Sequence, residues 1–311
     1  MNAPSETPLH AVSTLGVKVD VLFMSLLGIT GLVALGVAGC VVWFTIRYRA
    51  GSKADRSHPP ARVRWIEITW TATPLAIFLG IFLWSSEVFS QFYHPPENAL
   101  RVHVLAKQWM WKLEHDNGRR EIDELHVPLG QPVELIMTSQ DVIHSFFVPA
   151  FRIKQDVLPG RYTSLWFTAT RLGRFSLFCA EYCGTRHAGM FGGITVMRPA
   201  EFARWLASGP GQPDLATRGF EIYRRVGCSG CHEPTSTVHA PDLTDLFGRP
   251  VHLTDGSTVI ADETYLRDSI LLPQKQVVAG FGPIMPSFQG QLDEDDLIAL
   301  VAFIKSRSGP P

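Results

Sequence analysis

Two short stretches of the chain concentrate residue types that hold metals. Cys179-Ala180-Glu181-Tyr182-Cys183-Gly184-Thr185-Arg186-His187-Ala188-Gly189-Met190 offers two thiols, an imidazole and a thioether within twelve residues. Soft donors in that mixture suit copper. One thiolate serves one copper, whereas two that can each bridge suit a pair of metals sharing an electron. Such a pair needs a second imidazole. His144, in Gln140-Asp141-Val142-Ile143-His144-Ser145-Phe146-Phe147-Val148-Pro149, is the candidate. Taken singly, His144 reads as an ordinary sheet histidine and Met190 as core filler; together with the two cysteines and His187, the metal reading is the better one.

The second stretch is Cys228-Ser229-Gly230-Cys231-His232. In a C-x-x-C-H box two thiols form thioethers to a c-type haem and the following imidazole is held against the iron. Zinc would need another Cys or His pair at suitable spacing, and none follows. Met285, in Gly280-Phe281-Gly282-Pro283-Ile284-Met285-Pro286, is the only methionine after the box and is the candidate for the opposite face of the iron. His239 is too close to His232 to cross the ring, and His252 is the competitor. The fifth cysteine, Cys40, stands alone. A disulfide within each pair is the rival reading, but it leaves the neighbouring His and Met residues without a role.

These residues need a scaffold. From Leu100 to Met197 the chain alternates apolar and polar residues in short runs, such as Arg101-Val102-His103-Val104-Leu105 and Val133-Glu134-Leu135-Ile136-Met137. Turns such as Pro128-Leu129-Gly130 and Leu158-Pro159-Gly160 punctuate the runs, which predicts an all-β sandwich or barrel. A short amphipathic helix begins at Pro199, and Ser208 to Pro213 reads as a linker. The remainder is helical in character, opening with Leu215 to Val226 and closing with Glu294 to Lys305, where Asp293 is the N-cap.

The 311 residues exceed one domain, and 28 basic against 29 acidic residues give no field suited to nucleic acid. Apolar residues gather early. Val21 to Ile46 is a 26-residue run without a charge, and Ile68 to Ser86 a 19-residue run between Glu67 and Glu87. Each is long enough to cross a membrane. The connecting segment holds Arg47, Arg49, Lys53, Arg56, Arg62 and Arg64 against Asp55. That places it in the cytoplasm and everything after Val88 outside. Val37-Ala38-Gly39-Cys40 has the look of a lipoprotein cleavage box, but the apolar run continues past it, so Cys40 is read as a packing residue in an uncleaved helix.

On the Asp141-Val142-Ile143-His144-Ser145 segment and the Cys179 to Met190 loop, the chain resembles cytochrome c oxidase subunit II, with a class I cytochrome c domain at its C-terminus. The resemblance implies a multidomain membrane protein: a two-helix transmembrane hairpin, a cupredoxin-like sandwich and an all-α cytochrome c domain. It also implies a binuclear copper (CuA) centre. In it Cys179 and Cys183 bridge, His144 and His187 are terminal ligands, Met190 is a weak ligand and Glu181 contributes its backbone carbonyl, and the apolar residues near it, Phe146, Phe147 and Phe178, keep solvent out. The Glu181 side chain would reach a magnesium at the subunit I interface. Gln108-Trp109-Met110-Trp111 is similar to the family's aromatic motif, which makes Trp109 the residue where electrons enter. Trp65-Ile66-Glu67-Ile68-Thr69-Trp70-Thr71 is similar to the start of the family's second helix, whose glutamate, here Glu67, marks the mouth of a proton path. In the cytochrome part, Cys228, Cys231, His232 and Met285 would hold haem c, Pro241 would accept from the proximal imidazole, and Gly219 and Tyr223 would meet the last helix.

The expected division is 1–20 extracytoplasmic, 21–92 hairpin, 93–198 copper domain, 199–213 linker and 214–311 cytochrome. The implied partners are oxidase subunit I, further oxidase subunits, a cytochrome c-type donor and membrane lipid, with no nucleic acid. The implied location is a bacterial inner membrane with both metal domains outside. A copper-containing nitric oxide reductase subunit is the near rival, disfavoured by Glu67. A thioredoxin-like copper chaperone shares the two spaced cysteines and a distant histidine, but lacks the His187 and Met190 spacing and the haem box.

Overall fold

The computed structural model describes residues 11–55, 63–208 and 214–308. The first ten residues, Arg56 and Arg62 of the basic loop, and 209–213 of the expected linker lie outside the described residues. Helices α1 (Thr14–Arg47) and α2 (Val63–Gln91) run 34 and 29 residues. Among the described residues they are the two helices long and apolar enough to span a bilayer. Side chains such as Leu32, Leu35 and Phe78 are more than 70% exposed, an apolar surface of the kind that lipid covers.

Helix α1 starts ahead of the charge-free run because its first turns rest on protein. The Ser13 hydroxyl accepts from the Gly16 N–H and donates to the Phe151 carbonyl. Leu15 and Gly16 are buried, and Asp20 pairs with Arg152 at 2.7 Å. Lys18 and Asp20 thus lie on the helix but beside the outer domain, where charge is tolerated.

Two five-stranded sheets follow. One takes the order β3-β2-β1-β5-β8, from β1 (Leu100–Lys107), β2 (Met110–His115), β3 (Arg120–Ile122), β5 (Pro132–Ser139) and β8 (Thr163–Thr168). The other takes β4-β10-β9-β6-β7, from β4 (Glu124–Pro128), β6 (His144–Val148), β7 (Ile153–Val157), β9 (Gly173–Cys179) and β10 (Phe191–Met197). Alternate residues point inward and pack into one core that includes Trp111, Leu135, Phe146, Phe167 and Phe175. Phe146 pairs with Cys179 in the β6–β9 register. That register brings the start of β6 and the end of β9, hence His144 and Cys179, to the same end of the sheet.

Helix α3 (Pro199–Ala207) folds back on the sandwich, with the Trp205 ring stacked on His126 at 4.5 Å. Beyond it, α4 (Leu215–Arg225), α5 (Ser229–His232), α6 (Glu263–Leu271) and α7 (Glu294–Ser306) surround a second core. Asp293 caps α7, its carboxylate accepting from the Asp296 N–H. Helix α4 meets α7 so closely that a Cβ at Gly219 would fall 2.0 Å from the Ala299 carbonyl oxygen, while Tyr223 packs on Phe303 at 5.1 Å between ring centres. The C-terminal part is not helical throughout. A hairpin of β11 (Pro250–His252) and β12 (Thr258–Ile260) turns at Gly256, whose φ of +84° suits glycine.

Candidate metal and haem sites

The sulfur atoms of Cys179 and Cys183 lie 3.8 Å apart. That is well beyond a disulfide bond and leaves room for bridged metals. Around them stand His144 Nδ1, 3.9 Å from Cys179 Sγ; His187 Nδ1, 3.5 Å from Cys183 Sγ; and Met190 Sδ, 3.8 Å from Cys183 Sγ. The Glu181 carbonyl oxygen is 3.3 Å from Cys179 Sγ, while the Glu181 side chain faces solvent. His144, Cys179 and Cys183 form a buried group able to hold a metal ion. All six expected copper positions therefore converge, from the start of β6 and from the loop between β9 and β10.

The scaffold prepares these donors. His144 Nε2 donates to the Asp141 carboxylate at 2.8 Å, which fixes the tautomer and leaves Nδ1 facing the sulfur. Asp141 is itself held by the Gln108 backbone N–H at 2.7 Å. The Gln108 side chain donates to the Cys183 carbonyl at 2.7 Å, and the neighbouring Trp109 ring lies against Gly184. Gly184 has φ +115°, and a Cβ there would fall 2.8 Å from the Gln108 amide, so glycine lets the β1–β2 turn close over the loop.

Electrostatics also favour a bound cation. Burial raises the Cys179 thiol, but contacts from His144, backbone groups and Cys183 outweigh it and bring the thiol down to about 6. Cys183 goes the other way, to about 12, through burial and the Cys179 charge beside it. Two thiolates this close repel each other, and only a bound cation lets both ionise. Burial opposes charge on His144, yet Cys179 and Asp141 hold its pKa above the ordinary imidazole value.

One expectation about this site fails. Phe146, Phe147 and Phe178 were to exclude solvent, but only Phe146 is fully buried. Phe147 is half-buried and Phe178 is 41% exposed, because alternation along β6 and β9 turns both outward. Trp111 takes the role instead. It is 0% exposed and meets His144 and Phe146 edge to face, with ring centroids 6.1 and 5.2 Å away.

In the second core, an apolar cavity of about 340 Å³ is lined by Cys228, Cys231 and His232 on one side and by Met285 among others. His232 Nδ1 donates to the Pro241 carbonyl at 2.9 Å, which leaves Nε2 for a metal. Thiols, an oriented imidazole, a thioether and an apolar wall fit a covalently bound haem. His239 stacks on Phe281 at the rim at 4.6 Å, and His252 bonds Thr258 at 2.9 Å on the β11–β12 hairpin. Glu67 and Trp109 stand apart from the haem cavity: Glu67 is exposed near the start of α2, and Trp109 is half-buried above the copper loop.

Residues 113–197 match the family model described as cytochrome C oxidase subunit II, periplasmic domain, and residues 216–308 match cytochrome c. Cytochrome c oxidase subunit 2 of Alkalihalophilus pseudofirmus is 27% identical over 301 residues, covering 90% of this chain and 85% of that protein. The Synechocystis protein of the same name is 30% identical over 245 residues, covering 63% of this chain and 74% of the relative. Among solved structures, the periplasmic domain of subunit II of cytochrome oxidase from Bradyrhizobium japonicum is 31% identical. It covers 37% of this chain and 96% of its own, at a TM-score of 0.36.

Proposed function

From the chain's membership of the cytochrome c oxidase subunit II family, we propose that it takes electrons from a cytochrome c-type donor and relays them through its own two redox sites into subunit I. Membership makes it a membrane component of a haem-copper oxidase with its β-domain on the outer side, and implies copper and haem. When bound, haem c and the copper pair supply one-electron transfer; reduction of oxygen to water and proton translocation belong to the assembled enzyme. The observation that supports the relay most directly is the convergence of four further donor groups on two thiols 3.8 Å apart.

Each part of the chain then has a task. Cys228 and Cys231 tether haem c, His232 is oriented by Pro241, and Met285 closes the other face. Cys179 and Cys183 would hold the coppers together with His144, His187, Met190 and the Glu181 carbonyl, which would supply a soft one-electron site. Trp109, resting on the copper loop, is where electrons reach this centre from outside the domain. The exposed Glu181 carboxylate would serve as a ligand to a magnesium at the subunit I interface. The hairpin holds the whole in lipid, in the inner membrane of a bacterium, with subunit I and further subunits beside it.

Glu67 gives this reading a second handle. An ionisable group at the edge of a membrane core is costly unless it faces protein or water, which makes it a proton-path residue. In the assembled oxidase, stopped-flow mixing with reduced donor should show haem c reduced first and copper second. Glu67→Ala should leave both phases unchanged while steady-state oxygen consumption falls severalfold. Copper reduction that does not follow haem reduction would sink the relay. Unchanged oxygen consumption would reduce Glu67 to an interfacial anchor.

A further inference from the structure

The outer face of the first sheet is covered by the haem domain rather than by water. Inward residues of β1 and β5 are Val104 and Leu135, so Leu105 and Ile136 point to the opposite face, yet they are only 3% and 6% exposed. Around them, charged groups meet across the two domains. Arg218 of α4 donates to Glu114 of β2 at 2.9 Å and to the Asp295 carbonyl at 3.0 Å. Lys112 of β2 lies 3.4 Å from Asp295 of α7. The Tyr162 ring, from the sandwich, packs on the haem-domain core.

The most buried of these contacts is Arg267 on α6. It is 5% exposed, pairs with Glu294 of α7, and donates to the Gly160 carbonyl of the β7–β8 turn at 3.0 Å. Its guanidinium also lies 5.9 Å from the centre of the Tyr162 ring. A planar guanidinium satisfies several acceptors in fixed directions, so it sets orientation as well as attraction. Domains joined only by a linker otherwise move relative to one another.

Both ends of this contact lead to a redox site. Leu266, Ser269 and Ile270, the neighbours of Arg267 on α6, line the haem cavity. On the other side, the Gly160 turn continues back to Leu158, whose carbonyl accepts from the Ser139 N–H at 3.2 Å. The Ser139 hydroxyl accepts from the Asp141 N–H at 3.2 Å, and Asp141 holds His144. A continuous bonded route therefore joins the haem wall to a copper-site imidazole. Electronic coupling falls steeply with every through-space gap, so this route depends on keeping its interdomain step, the Arg267–Gly160 hydrogen bond, closed.

We infer that Arg267 is a positioning residue that docks the haem domain on the copper domain through Gly160 and Tyr162, holding the two redox sites at one fixed separation for electron transfer. This rests on the relay proposed above. The test uses the full chain loaded with both cofactors, reducing haem c rapidly and following haem and copper absorbance in buffers of increasing viscosity. In the wild type, copper reduction follows haem oxidation at a rate independent of viscosity. In Arg267→Gln, haem content, copper content and haem reduction by external donor stay as in wild type. Haem-to-copper transfer slows tenfold or more and becomes viscosity-dependent, and Arg267→Lys falls between. An Arg267→Gln protein with wild-type transfer and no viscosity dependence overturns the inference. Wild-type protein in which haem never passes its electron to copper overturns the relay itself, which is a separate result. Should Arg267→Gln lose its haem, docking is read in the unmodified chain. Zero-length carbodiimide coupling then joins Lys112 to Asp295, and the absence of that link overturns the docked arrangement.

Discussion

Cys183→Ser abolishes the copper signal of a shared electron and leaves haem c attached. Cys183 sits at the middle of the donor set, its sulfur 3.8 Å from Cys179 Sγ, 3.5 Å from His187 Nδ1 and 3.8 Å from Met190 Sδ. A serine hydroxyl is a hard donor that stays protonated near neutral pH, so it cannot take the place of a soft bridging thiolate. With one bridge the site can hold at most a single, localised copper. The haem ligands belong to a different core, built on α4, α6 and α7, so the loss does not spread to them. Electron paramagnetic resonance and a haem stain on the same sample check both halves. An undisturbed mixed-valence copper spectrum in the mutant contradicts the ligand assignment.

Met285→Ala keeps the haem covalently bound through Cys228 and Cys231 but removes its distal ligand, so the weak long-wavelength ferric band of methionine-to-iron ligation disappears. Met285→His restores a six-coordinate iron with a stronger donor and lowers the potential, because a thioether favours ferrous iron relative to an imidazole. A fall on the order of 0.1–0.3 V is expected, within the ~0.8 V range that axial ligands set. Redox titration of the two variants decides the point. Persistence of the methionine band in Met285→Ala transfers the role to another residue.

Much of the metal chemistry was legible because it is local. The two cysteines, His187 and Met190 share one loop, and the haem box is contiguous, so type and spacing alone point to the donors. His144 was harder, and became visible only through the motif around it. What brings it to Cys179 is the β6–β9 pairing, a long-range register that no local pattern encodes. Of the groups that orient the donors, one is local and one is not. Asp141 beside His144 lay in plain view at i−3, a spacing that could have flagged it, whereas Gln108 on the Cys183 carbonyl depends on a turn from another sheet.

Phe178 is next to a copper-site residue in sequence but faces away from it in space. Next to a buried Cys179, alternation makes Phe178 face outward. The hairpin at Gly256 went unseen because strands of three residues give too short a pattern to read. The helix start at Thr14 differs from the hydropathy boundary because Ser13, Asp20 and Arg152 extend the helix with polar contacts that a charge-free window excludes. The interdomain contact at Arg267 had no local signal, since arginine, glutamate and glycine at those spacings are ordinary surface residues until the two domains meet.

The measurement that tests the central claim most directly is the electron paramagnetic resonance spectrum of the oxidised, copper-loaded chain, taken with its copper content. Two coppers per chain, and one unpaired electron split equally by two copper nuclei, are the expected result. One copper per chain with splitting from a single nucleus would contradict the paired centre.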